Sequence, residues 1–156
     1  MNITIRRAEE ADIRTVQEFG SKLLNFEREN YDPSLNGDWA FSDEAKAKYL
    51  DAIQNKYAVI AESDGQPVGF LIGNILAQKA GDARQIKQAY LQNLYVDADF
   101  RKGGVGKELV ENFKNYCRNE GVKRLNVSVL AANETAVKFY GSVGFEPRSL
   151  SLSQEL

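Results

Sequence analysis

The run Tyr95-Val96-Asp97-Ala98-Asp99-Phe100-Arg101-Lys102-Gly103-Gly104-Val105-Gly106-Lys107 holds the residue types best suited to grip a phosphate. Glycines let a backbone approach a ligand closely and present successive N–H groups. A helix pattern starts directly after them, and the free N–H groups and dipole of a helix start attract anions. Arg101, Lys102 and Lys107 add positive charge. Together these features suit a pyrophosphate. Two known nucleotide motifs fail here. A P-loop needs Gly-Lys followed by Ser or Thr, but Gly106-Lys107 is followed by Glu108, and the first Gly position holds Arg101. A dinucleotide fingerprint needs a third Gly or Ala where Leu109 stands, after an initial βαβ unit that is missing. On the loop alone, a plain helix-capping glycine turn stays open.

The chemistry available elsewhere is narrow. The 156 residues include 20 basic and 22 acidic side chains, a net charge of −2, with no histidine and one cysteine. Ser-His-Asp and Cys-His arrangements are excluded, as are His-based zinc sites, CxxC pairs and an internal disulfide. No metal is expected. Any catalysis must use carboxylates, tyrosine, serine, lysine, backbone amides or a bound cofactor. Balanced charge gives no reason to expect nucleic acid as a partner. The length predicts one domain over residues 1–156. No apolar run approaches the ~20 residues of a membrane span, and the first residues lack a signal-peptide core. With a free thiol, this leads to the expectation of a cytoplasmic protein.

The elements that must position the loop follow from periodicity. Ile3 to Arg7 alternates as a strand. From Ala8 to about Asn30, Ile13, Val16, Phe19, Leu23 and Phe26 recur at helical steps. Asp32-Pro33 and Asn36-Gly37 break the chain. Ser42 is the expected N-cap of a second helix with Ala45, Tyr49, Leu50 and Ile53 on one side. Tyr57–Glu62 and the alternation of Val68, Phe70 and Ile72, running to about Gln78, read as strands joined by an Asp64-Gly65 turn. After a polar loop from Lys79 to Arg84, Ile86 to Val96 is a third strand, and the three form an antiparallel meander. The next helix runs to about Glu120 with Gly121 at its C′ position, and buries Val105, Leu109, Val110, Phe113, Tyr116 and Cys117. Leu125, Val127 and Val129 alternate on a further strand. Asn133 caps a short helix ending near Gly141, and Gly144-Phe145 opens a last extended segment with Leu150 and Leu152 alternating.

These residues resemble the acetyl-CoA-dependent GNAT N-acetyltransferase superfamily. Its Arg/Gln-x-x-Gly-x-Gly/Ala signature stands as Arg101-Lys102-Gly103-Gly104-Val105-Gly106, four residues after Leu94-Tyr95-Val96. Its second motif stands as Asn133, Ala136, Phe139, Tyr140 and Gly144-Phe145. One helix and one strand separate the two, as in the family. The resemblance implies an α/β fold (an α+β mixed sheet): an antiparallel meander, then a splayed parallel strand pair, with helices on both faces. The splayed pair would be Leu91–Val96 and Leu125–Leu130.

The resemblance also implies roles. Backbone groups of Leu94 and Val96 would contact pantetheine, and the Leu94 N–H would polarise the thioester carbonyl. The amides of Lys102, Gly103, Gly104, Val105 and Gly106, with Lys107, would hold the pyrophosphate. Arg101 would assist or serve the structure. Tyr140 would protonate the departing CoA thiolate, with aromatic packing as its other reading. Asn133 would cap its helix, contact the cofactor, or both. Phe139 reads as core or as packing beside the cofactor, and Cys117 as core.

The general base is a gap. Several family members place a Glu where this chain has Gln92 and Asn93, and an amide cannot take a proton. The acceptor is equally open. Glu27, Glu29, Asp32, Asp38, Asp43 and Glu44 lie among Phe26, Tyr31, Trp39 and Phe41. Such a rim would attract a small cationic amine, slightly favoured here over a protein amine; a solvated loop is the other reading. Only eleven residues follow Phe145, room for one strand, so an exposed sheet edge and a homodimer are expected. The expected activity is acetyl transfer to a primary amine by direct attack, through a tetrahedral intermediate. A non-catalytic CoA-binding regulatory domain is the alternative that the Gln92-Asn93 pair keeps alive.

Overall fold

The computed structural model describes residues 2–77 and 85–156. Five strands form one sheet in the order β1-β2-β3-β4-β5. They are β1 (Ile3–Arg7), β2 (Tyr57–Ser63), β3 (Gln66–Ile75), β4 (Gln88–Val96) and β5 (Arg124–Val127). Neighbours are antiparallel up to β4, and β4 pairs with β5 in parallel. The meander and the parallel pair are therefore both present. Asp64 and Gly65 take positive φ, +49° and +80°, the geometry of a tight hairpin whose twist matches its strands.

Helices cover both faces: α1 (Ile13–Asn30), α2 (Asp43–Asn55), α3 (Val105–Asn119) and α4 (Glu134–Ser142). Consecutive residues of β2 are buried because each face has a helical cover. Tyr57, Val59 and Ala61 join Val105, Leu109, Val110, Phe113 and Cys117 of α3 on one side. Ala58 and Ile60 join Val16 and Phe19 of α1 and Tyr49 of α2 on the other. Phe113 sits directly under Gly73, where any Cβ would collide with its ring. The α1 stripe is as expected, although the helix proper starts at Ile13 after a 3-10 turn at Glu10–Asp12. Asp12 anchors that turn, pairing with Arg6 (2.8 Å) and accepting from the Glu9 N–H (2.8 Å). Ser42 caps α2 by accepting from the Ala45 N–H (3.1 Å).

Several expected boundaries move. β3 ends at Ile75, short of Gln78, and β4 starts at Gln88 instead of Ile86. Gln78 and the polar loop Lys79–Arg84 lie outside the described residues. The strand expected over Leu125–Leu130 is only Arg124–Val127, because pairing with β4 stops at Leu91 and Val127. The last segment forms no strand. Leu150 and Leu152 are 75% and 84% exposed, so their alternation has no buried face to hold it.

Candidate active site

The gap between β4 and β5 is the centre of the site. The two strands pair from Gln88–Arg124 to Leu91–Val127 and then part. Asn126 pins the closed end, donating to the Ala89 carbonyl and to Gln88 Oε1, both at 3.1 Å. The Tyr90 hydroxyl and Ser128 Oγ bond across the point of separation. Beyond it β4 continues to Val96 paired with β3 alone. Its other edge leaves backbone donors and acceptors of the segment 92–96 without a strand partner. Buried polar backbone needs partners, so this edge is suited to an extended ligand with amides.

The glycine loop follows at once. Asp97 is held by its own N–H on the Val68 carbonyl (2.8 Å), by Lys22 (2.9 Å) and by the Tyr95 hydroxyl (3.2 Å). Lys22 is held above the usual lysine range by that bond. Lys102 (φ +65°) and Gly104 (φ +87°) turn the chain into α3. Gly104 is the N-cap and has no side chain to satisfy the first-turn N–H groups. Among the described residues no other side chain caps them either, and Lys102, Gly103, Gly104 and Lys107 are exposed. The start of this fifteen-residue helix is thus an uncapped, positive end open to solvent. Gly106 sits close under α4, where a Cβ would lie 3.3 Å from Phe139.

Arg101 is tied down. Its Nε donates to the Val96 carbonyl (2.8 Å), and its guanidinium lies 5.3 Å from the Phe26 ring and 5.5 Å from the Tyr95 ring. It clamps the end of β4 against the last turns of α1, so the structural reading accounts for what it touches. Asn133 is the N-cap of α4, its Oδ1 accepting from the Ala136 N–H (3.0 Å).

Tyr140 stands on the same helix, half-buried between Phe139 (5.2 Å) and Phe145 (5.5 Å). Burial, reinforced by the charge of Glu27, pushes its phenol up to about 12. It stays protonated at neutral pH. Cys117 is buried in the α3 layer, and burial pushes its thiol up to about 11. A thiol so placed is a poor nucleophile.

On the α1–α2 side of β4 lies a cavity of about 510 Å³. Trp39, Tyr49, Lys48, Asp51 and Lys56 line its helical wall, and Tyr90, Gln92 and Asn93 its floor. A bulge explains the floor. Asn93 pairs with Ile72 and Leu91 with Gly73, leaving Gln92 as an extra residue. A strand residue normally alternates sides, but a bulge lets two neighbours face one way. Both amides therefore enter the same cavity, next to Leu94. Two adjacent polar residues interrupting Leu91 and Leu94 were the sequence trace of this bulge, and alternation alone passed over it.

None of the six acidic residues of the expected rim lines this cavity, and of its four aromatics only Trp39 does. Phe26 packs edge-on against Tyr31 (6.0 Å), and Phe41 lies under Arg14 (4.6 Å). Among the described residues, no cluster of His, Cys, Asp and Glu could hold a metal ion.

The sequence profile of the acetyltransferase (GNAT) family matches residues 21–145, and the chain belongs to that family. It is 30% identical over 124 residues to N-alpha-acetyltransferase 60 of Xenopus tropicalis, covering 68% of this chain and 50% of that one. Over 65 residues it is 34% identical to the [ribosomal protein bS18]-alanine N-acetyltransferase of Salmonella typhimurium (42% of this chain, 44% of the relative). The chain thus spans half or less of the length of these curated relatives. In fold it matches a mutant protein of Bacillus halodurans with a TM-score of 0.84 at 19% identity, over 98% of this chain and 99% of that one. The aminoglycoside N-acetyltransferase AAC(6')-Iy, solved with a CoA bisubstrate analogue, matches with a TM-score of 0.73 at 18% identity over 100% of both chains. The five-stranded mixed sheet, with β4 and β5 parallel, is shared with these solved structures.

Proposed function

We propose that the chain transfers the acetyl group of acetyl-CoA directly to a primary amine. The observation that carries this reading is the join of an open β4 edge, ending at Val96, to an uncapped helix start at Val105. Pantetheine amides pair with the β4 edge at Leu94 and Val96. The pyrophosphate sits on the amides of Lys102 to Gly106, with Lys107 adding charge. The Leu94 N–H faces the thioester oxygen and stabilises the oxyanion of the tetrahedral intermediate. The acceptor enters from the cavity of Trp39, Gln92 and Asn93. Tyr140 then protonates the departing thiolate, and its protonated state at neutral pH supports that role. Direct attack is favoured over a covalent enzyme intermediate because the only thiol, Cys117, is buried and weakly acidic.

The acceptor is an amine whose class the cavity narrows only in charge. Its lining holds Lys48 and Lys56 against Asp51, so it does not select for a polycation. The free thiol fits a reducing cytoplasm; among the described residues no helix is long and apolar enough to cross a membrane. A homodimer is supported by β5, which ends the sheet with its outer edge unpaired, and by the exposed Leu150 and Leu152. Light scattering that finds only monomer at micromolar concentration removes the dimer.

Thermal shift and a thiol-release assay test the main reading. Acetyl-CoA should stabilise the protein where ATP and NAD do not. CoA should then appear with at least one amine of a panel spanning peptides, polyamines and aminoglycosides. Tyr140→Phe should slow release roughly a hundredfold or more at neutral pH. Stabilisation by acetyl-CoA without turnover on any amine would favour the non-catalytic CoA-binding alternative.

A further inference from the structure

The far edge of the sheet carries a second cavity. β1 and β5 are the two end strands, so a site at β1 lies apart from the gap between β4 and β5. Between β1, β2 and α3 there is a groove of about 450 Å³, within the size range of small-molecule sites. Ile5 and Arg7 alternate onto its side of β1, and Tyr57 and Val59 onto its side of β2. Asn112, Asn115 and Asn119 enter from one face of α3, at helical steps.

The polar groups that meet in this groove are donors. The Tyr57 hydroxyl donates to Asn112 Oδ1, and Arg118 donates to Asn115 Oδ1 (2.9 Å). Both carboxamides therefore have their oxygens occupied and their NH2 groups left over. Arg7 donates to the Lys56 carbonyl (3.1 Å), and its guanidinium lies over the Tyr57 ring (4.7 Å) and near the Tyr116 ring (5.7 Å). Stacking holds the planar fork in place and leaves its other N–H groups open. Charge follows the same pattern. Arg6 is matched by Asp12 and Glu62, but among the described residues Arg7 has no carboxylate within ion-pair distance. Among the described residues no Asp or Glu lines the groove.

We infer that this groove is an accessory binding site for a small monocarboxylate with an apolar body. Arg7 takes the carboxylate, since one unmatched charge on a planar fork fits one planar monoanion. Asn112 and Asn115 donate to its remaining lone pairs. Its body rests on Ile5, Val59 and the Tyr116 ring. A phosphate fits less well, because its second negative charge finds no second free cation where Arg6 is already matched. The site goes beyond the acetyl-transfer reading and does not depend on it.

The test uses the full chain, nitrogen-labelled, in proton–nitrogen correlation spectra. The probe is benzoate, with benzamide as its neutral counterpart and inorganic phosphate as a second anion. Benzoate should give saturable shifts of the Asn112 and Asn115 side-chain amides and of the Arg7 Nε–H. Benzamide should give none at the same concentration, and phosphate should bind more weakly. Arg7→Gln should weaken benzoate binding about tenfold or more, because the one charged donor is gone. Asn115→Asp, a change at an exposed position of α3, should weaken it comparably by setting a negative charge against the carboxylate. Both variants should keep the wild-type spectrum away from the groove. The assignment is overturned by the absence of saturable benzoate shifts, by equal shifts from benzamide, or by wild-type affinity in either variant. Benzoate shifts confined to residues 102–107 at the start of α3 would also overturn it. Phosphate binding as tightly as benzoate would overturn the choice of a carboxylate.

Discussion

The two sides of β4 are built on different principles. On the side proposed for the cosubstrate, from Leu94 through Gly106 to Tyr140, the groups on offer are mainly backbone: a strand edge and a helix start. On the side proposed for the acceptor, the cavity of Trp39, Tyr49, Asp51, Gln92 and Asn93 is made of side chains from three separate segments. Backbone groups look the same whatever residue carries them, so the first side suits a cosubstrate with a fixed pantetheine and pyrophosphate. Side chains can be exchanged one at a time, so the second suits an acceptor that differs between proteins. Even within this chain the bulge at Gln92 marks the border. It is the point where β4 keeps its pairing with β3 but leaves β5, and where its side chains start lining the cavity.

Substitutions can break this division. The largest effect is expected from Gly104→Glu. It sets a carboxylate beside the pyrophosphate position and forces positive φ on a non-glycine residue, and like-charge contacts of this kind cost several kcal/mol, roughly a hundredfold or more in affinity. Calorimetry should show acetyl-CoA binding lost while the fold persists by circular dichroism. Normal binding would mean the phosphates lie elsewhere.

Trp39→Ala should act on the other side only. Truncating a packed aromatic anchor costs roughly 2 kcal/mol, so the acceptor KM should rise about tenfold or more while the Kd of acetyl-CoA holds. An equal effect on both ligands would dissolve the comparison. A smaller effect is expected from Asn133→Ala, which removes the α4 cap and should cost about 1 kcal/mol in denaturant unfolding. Because that helix carries Tyr140, kcat should fall slightly and the acceptor KM should not change.

The smallest effect concerns pH. Burial, with the charge of Asp32 adding to it, raises the Glu27 pKa in the folded state, so the folded protein binds more protons than the unfolded chain between the ordinary carboxylate value and the raised one. Stability contributed by this group is therefore lost as pH rises through that window. Glu27→Gln should melt slightly higher than wild type at pH 7, and the gap should close as pH falls below the ordinary carboxylate range. An unchanged or lower melting point at pH 7 would mean that Glu27 has a stabilising partner.

The legible parts of the molecule share one property. The α3 stripe of Val105, Leu109, Val110, Phe113 and Cys117, the Gly121 stop and the Asn133 cap all follow from residues within a few positions of each other. The strand ends did not follow, since the loss of pairing after Val127 depends on where β4 runs, and Leu150 and Leu152 alternate without any partner to use it. The acidic rim failed for the same reason: Glu29, Asp38 and Glu44 are close in sequence to Trp39 but do not line its cavity, and Glu44 reaches only as far as Lys48 at its wall (3.2 Å).

From its own order of residues, the chain determined the absence of histidine chemistry, the glycine loop at the head of a helix, and a short Asn133-capped helix that carries Tyr140. These are local matters of residue type and period. Only the folded sheet decided that two neighbouring amides share one cavity, that Arg101 is spent as a clamp, and that Arg7 of β1 shares one groove with Asn115 of α3. Each of those joins residues from different elements, up to 108 positions apart (115 − 7). Hydrophobic burial on the two faces of the sheet brings such elements together, and no pattern within either segment encodes the distance between them.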